Sequence, residues 1–381
     1  MSIYAVILLL YFFTIFILSQ TRLANNRRFF IVLVTVSISI LGMFFNPEHA
    51  LKNGDYTDLI RFYSDIEAFR KWGWNVSADY LNTNYLLIPF AKLIVYICAI
   101  VGKNNLIQLI SGIMIYGFFG ITLCTVAENE KIEDKKVVKT FIAFILLYNF
   151  ASGITNIRMP IGLSIFFYIL INDLGKKWKF KFCMIGYIVT ILLHPIFILI
   201  LCLRFLLVTF KKFSKIFTYI ILIFSSVIIS FIMSKFGLLG DNEVSGELLW
   251  KYQYYVSSNN VTQYEIYPTF FSIIQICVLG YFLLITRKFI NEKSSLKDIY
   301  NVSIIYLLFA IGSFWNYHLF VRMSNFLIYF IVYWNMICYK IKRKDTNQKT
   351  MIMMYDMFFY ILILSKLLYY FSSYQYNILT F

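Results

Sequence analysis

Apolar runs long enough to cross a membrane recur along nearly the whole chain, and short clusters of lysine and arginine separate them. That pattern leaves few folds open. Within a bilayer every backbone N–H and C=O must find its partner inside the chain, so only helices and closed barrels span it. A spanning helix takes about 20 apolar residues, whereas a barrel strand takes about ten of alternating character. The runs here are continuous, which predicts an all-α integral membrane protein. Composition agrees: 60% of the 381 residues are hydrophobic, and the mean hydropathy is +0.72. The net charge of +16 is no nucleic-acid footprint, because the basic residues fall in the turns between apolar runs. The six cysteines stand singly in apolar surroundings, with neither metal-ligand spacing nor a disulfide framework, so no metal and no cofactor are expected.

Charge then orients the chain. Spans are expected at about 2–20, 29–45, 105–127, 138–156, 158–174, 182–194, 195–210, 216–233, 268–286, 298–314, 323–340 and 351–371, about 12 in all. No small-residue cleavage site follows the first, which reads as a retained span. The segment Tyr85–Val101 is decisive. If it crosses, most lysine clusters fall outside; if it lies in the interface or re-enters, 23 basic residues fall inside and ten outside. The second arrangement obeys the positive-inside rule. It makes residues 1–381 one polytopic membrane domain with an interfacial or re-entrant helix. Two sizeable extracytoplasmic loops remain, about 46–104 and 234–267, the latter acidic and then rich in tyrosine.

The stretch Ser152–Pro160 carries an arginine between two apolar runs. Even lenient insertion scales charge about 2.5–3.5 kcal/mol for an arginine at a span's centre, so Arg158 belongs at an interface or in a wet cavity. Pro160 favours the first turn of a helix, which puts Arg158 at a positive helix N-terminus suited to anions. With this topology, Arg158, His194, His318 and Arg322 all fall at outer ends of spans, and Asp55, Asp58, Arg61 and Tyr63 lie in the first outer loop. Arginine's planar fork suits phosphate oxygens, and a near-neutral histidine suits acid–base work.

The arrangement resembles the bacterial polysaccharide repeat-unit polymerases (Wzy-type), particularly the EpsG-like branch. The shared features are the outer-loop Gly54-Asp55-Tyr56 with Tyr63, and Arg158 ahead of the run Ile161–Phe167. His194 after Leu192-Leu193 and the late pair Arg322 and Tyr329 complete the set. Many relatives have Arg-Gln and His-x-Ser where this chain has Arg158-Met159 and His194-Pro195-Ile196. The resemblance implies a multi-pass glycosyltransferase of the bacterial cytoplasmic membrane. It would work on undecaprenyl diphosphate-linked oligosaccharides at the outer face, beside a flippase and a chain-length regulator. It further implies that Arg158 and Arg322 hold the leaving diphosphate and that Asp55 or His194 takes the acceptor's proton. Tyr56, Asp58, Arg61, Tyr63 and His318 would contact substrate, and Tyr85–Val101 would guide the lipid carrier. Two other classes fit the same features, a lipid-linked oligosaccharide flippase or transporter and a membrane O-acyltransferase acting on the glycan.

Overall fold

A computed structural model describes residues 3–44, 58–74, 85, 88–212, 215–224, 263–291, 294–314, 316–338 and 346–372. Among them there is no strand. The helices are α1 (Ile3–Leu18), α2 (Arg27–Met43), α3 (Asp58–Trp72), α4 (Pro89–Val101), α5 (Leu106–Glu130), α6 (Asp134–Leu147), α7 (Phe150–Thr155), α8 (Arg158–Leu174), α9 (Phe180–Ile191) and α10 (Ile196–Lys212). Then follow α11 (Lys215–Ile223), α12 (Gln263–Asn291), α13 (Ser294–Gly312), α14 (Tyr317–Cys338) and α15 (Thr346–Ser372). Among the described residues, three stretches are long and apolar enough to cross a membrane by themselves: Leu106–Glu130, Ile266–Arg287 and Tyr317–Cys338. The helices group into two compact units, Met1–Leu201 with Ile363–Phe381, and Cys202–Leu362.

The first unit is built on the antiparallel pair α2 and α5. Small residues let the two backbones approach: a Cβ added at Gly112 would lie 2.9 Å from the Cα of Ser39. Apolar solvent gives helices no hydrophobic reason to pair, so close packing of this kind supplies the attraction. Local chemistry sets the ends. Asn26 caps α2 by accepting from the Phe29 amide at 3.1 Å, and α5 stops at Lys131, whose φ of 53° is left-handed.

One expected span is divided. The run 138–156 folds as α6 and α7, because Tyr148 turns extended and the Asn149 side chain caps α7 through the Ser152 amide. The break strips the Leu147 carbonyl of its helical partner, and the buried Lys366 ammonium donates to it at 3.3 Å.

Two ends of this unit are chemically distinct. At one, Arg27 pairs with Asp134 at 2.6 Å and Arg28 with Glu128 at 2.5 Å, tying the α1–α2 turn to the α5–α6 turn. At the other, the Asn105 amide donates to the Met43 carbonyl at 3.3 Å, so the chain leaves α2 and re-enters α5 at neighbouring points. Everything from 44 to 105 therefore starts and finishes at one end. Helix α4, with 13 residues, is about 20 Å long, against a hydrocarbon core of about 30 Å. It ends at Gly102, whose φ of 79° is the left-handed stop that favours glycine. Its Phe90 amide donates to the Leu192 carbonyl at 3.2 Å, fixing the α9–α10 junction at the same end.

In the second unit α14 is buried along almost its whole length. Polar groups hold its neighbours: Ser272 and Ser324 hydroxyls lie 2.6 Å apart, and the Trp334 indole donates to Ser303 at 2.9 Å. The outer loop expected at 234–267 falls almost entirely outside the described residues.

Candidate functional site

The α3 sequence is amphipathic, with Leu59, Phe62, Asp65, Ile66 and Phe69 on its buried face. Its polar edge meets the start of α8. Asp58, the first residue of α3, offers one carboxylate oxygen to Arg158 at 3.1 Å and the other to Arg61 at 3.4 Å. Both guanidiniums stand 5.5 Å from the centroid of the Phe62 ring, where the negative π face favours cations. The Arg158 side chain is 16% exposed, and its Nε is buried without a hydrogen-bond partner.

Beneath this trio lies Asp65, 2% exposed. The Tyr85 hydroxyl donates to its Oδ2 at 2.5 Å. Burial pushes the Asp65 carboxyl above its ordinary value; the Tyr85 hydrogen bond and the charges of Arg61 and Arg158 pull the other way and only partly offset it. Burial, together with the Asp65 charge, raises the Tyr85 hydroxyl. Tyr63 turns to α5, donating to the Gln108 side chain at 2.6 Å. The Ser111 hydroxyl donates to the Gly153 carbonyl at 2.8 Å, which holds α7, and so the approach to Arg158, against α5.

Of the residues singled out in the sequence, Asp58, Arg61 and Arg158 come together, and Tyr63 anchors their helix. Asp55 and Tyr56 lie outside the described residues. His194 sits at the α9–α10 junction, where its Nδ1 accepts the Ile196 amide at 3.2 Å. Neutral imidazole with an accepting Nδ1 carries its proton on Nε2. His318 and Arg322 belong to the second unit. His318 is the second residue of α14, its ring 5.3 Å from that of Tyr317. The expectation that Arg322 opens its helix is corrected: the Asn316 side chain accepts from the Leu319 amide at 3.1 Å, so α14 begins at Tyr317 and Arg322 lies in its second turn.

Two residues escaped the sequence reading, Asp65 and Tyr85. A signal existed for Asp65, because in a helical stretch it follows Asp58 by two turns and Arg61 by one. Tyr85 had none, since its contact with Asp65 crosses twenty residues of chain.

A chain whose described residues are helical, with membrane-length apolar helices, is a membrane protein, and two arginines and two carboxyls gather at one end of its first unit. The model of the EpsG family matches residues 53–378, and the chain belongs to that family. This places it among membrane proteins of polysaccharide biosynthesis. No curated protein and no solved structure matches it.

Proposed function

We propose that this protein is a polysaccharide repeat-unit polymerase, with about twelve crossings of the bacterial cytoplasmic membrane. It transfers a growing undecaprenyl diphosphate-linked glycan onto a lipid-linked repeat unit at the extracytoplasmic face. The observation that carries the reading is the Asp58–Arg61–Arg158 cluster, at the end of the first unit where α3 and α4 also lie.

In the reaction, a hydroxyl of the incoming unit attacks the anomeric carbon of the growing chain. The bond from that carbon to the diphosphate breaks, and the diphosphate leaves with its electron pair. Arg158 faces the charge that develops there; fixed donors of this kind lower the barrier because they need no reorganisation. The acceptor's proton goes to a carboxylate, and Asp55, three residues before Asp58, takes that role. His194, with Nδ1 occupied by the Ile196 amide, presents a donor at Nε2 and suits a phosphate oxygen better than an incoming proton. Helix α4 exposes Leu93, Ile97, Ile100 and Val101, a face for the lipid interface. Lys92 is held over Trp74 at 4.5 Å.

The test uses purified protein in vesicles with lipid-linked repeat units and no flippase. Wild-type protein is expected to extend them. Arg158→Lys keeps a cation but loses the fork, and the rate should fall by about a hundredfold with protein still folded. Wild-type chain lengths from Arg158→Lys would reduce Arg158 to an interfacial anchor. Lipid-linked units trapped on the cytoplasmic side in cells lacking the protein would point to a flippase instead.

A further inference from the structure

We propose that Asp58 is an internal counter-ion occupying a two-arginine diphosphate seat, which it yields when a lipid-borne diphosphate binds between Arg61 and Arg158. The inference rests on the reading of Arg158 as a diphosphate ligand and adds a second arm, Arg61, and a gate, Asp58.

The geometry is that of an anion already in place. Asp58 spreads its two oxygens over two separate guanidiniums, at 3.1 and 3.4 Å, as a bridging phosphate would. Both cations are braced by the same Phe62 ring, so they keep their spacing when the carboxylate departs. The Arg158 Nε, buried and unmatched, is a donor that Asp58 leaves unsatisfied. Asp58 and Arg158 are also the first residues of α3 and α8, so two positive helix ends come within one ion pair of each other. The N-cap of α8, Ile157, supplies no side-chain acceptor to the first turn.

Charge explains why a carboxylate stands there at all. Two guanidiniums side by side in a half-buried site repel, and a free seat would collect any passing anion. Asp58 neutralises one charge and keeps the pair poised. Its side chain is 31% exposed and its longer pairing is loose, so it is displaced at small cost. A single orthophosphate could bridge both arginines as Asp58 does, but a diphosphate brings more charge and more oxygens to the pair.

The experiment measures binding of farnesyl diphosphate, inorganic pyrophosphate and orthophosphate to the full-length protein in detergent. Asp58→Asn removes the competing charge, and pyrophosphate and farnesyl diphosphate are expected to bind about tenfold more tightly. Arg61→Gln should weaken both, and both by more than it weakens orthophosphate. Farnesyl diphosphate should bind more tightly than pyrophosphate; equal binding would overturn the lipid-borne occupant. If Asp58→Asn lowers thermal stability, the shift in melting temperature on adding pyrophosphate still decides, and it should exceed that of wild type. Unchanged or weaker binding by Asp58→Asn, with Arg158→Gln impaired, overturns the counter-ion role and leaves Arg158 its ligand role. Arg158→Gln binding like wild type sinks the diphosphate reading itself, and this proposal with it.

Discussion

Asp65 is sealed from water beside two arginines and one tyrosine, and burial raises its carboxyl above the ordinary 3.8. The folded chain thus holds the proton more firmly than the unfolded chain does. Stability from the protonated form is full below the unfolded value and is lost as pH rises through the folded one. The melting temperature of the wild type should therefore fall from about pH 4 upward. Asp65→Asn, a neutral stand-in, should flatten that part of the profile. Parallel profiles for the two proteins would show that Asp65 does not titrate in this window. The residue scale also shows what spacing alone delivers. Asp58, Arg61, Tyr63 and Arg158 were legible as polar groups expelled from apolar runs. Asp65 was not among them, because its burial is decided by the face that α3 turns to its neighbours, and that face is set by Phe62, Ile66 and Phe69.

Among the elements, α2 and α5 depend on the absence of a side chain. A methyl at Gly112 would meet backbone, the Cα of Ser39, which cannot swing away. Gly112→Ala should cost about 1–3 kcal/mol, seen as a lower melting temperature in detergent. Gly117→Ala is the control on the same helix. Its new methyl would meet only the Thr35 methyl at 3.7 Å, and the gain in helix propensity should leave it neutral or better. A melting temperature for Gly112→Ala equal to that of Gly117→Ala would mean the two helices slide apart freely. The elements themselves were largely legible, since apolar length marks helices: α8 was expected at 158–174 and runs Arg158–Leu174. What hydropathy missed were interruptions and starts made by single side chains, Asn149 dividing α6 from α7 and Asn316 starting α14 early.

Across the whole molecule, the sorting of charge and the pairing of turns make one statement about sidedness. The turns joined by Arg27, Arg28, Glu128 and Asp134 share one end of the first unit; the start of α8 and the α9–α10 junction share the other. Reporter fusions after Lys136 should read cytoplasmic and fusions after Gly102 extracytoplasmic. A cytoplasmic reading after Gly102 together with an extracytoplasmic one after Lys136 would mean that Tyr85–Val101 crosses after all. The bond from Asn105 to Met43 has one more consequence. A segment whose two ends are stitched together at the rim behaves as a cassette, held by the frame without forming part of it. Lengthening such a segment costs little, because loop-closure entropy grows only slowly with length. The stretch from 44 to 105 can therefore be exchanged between relatives while α2 and α5 stay paired. Since that cassette carries Asp58 and Arg61 but not Arg158, an exchange would change what meets the arginine and leave the arginine itself in place.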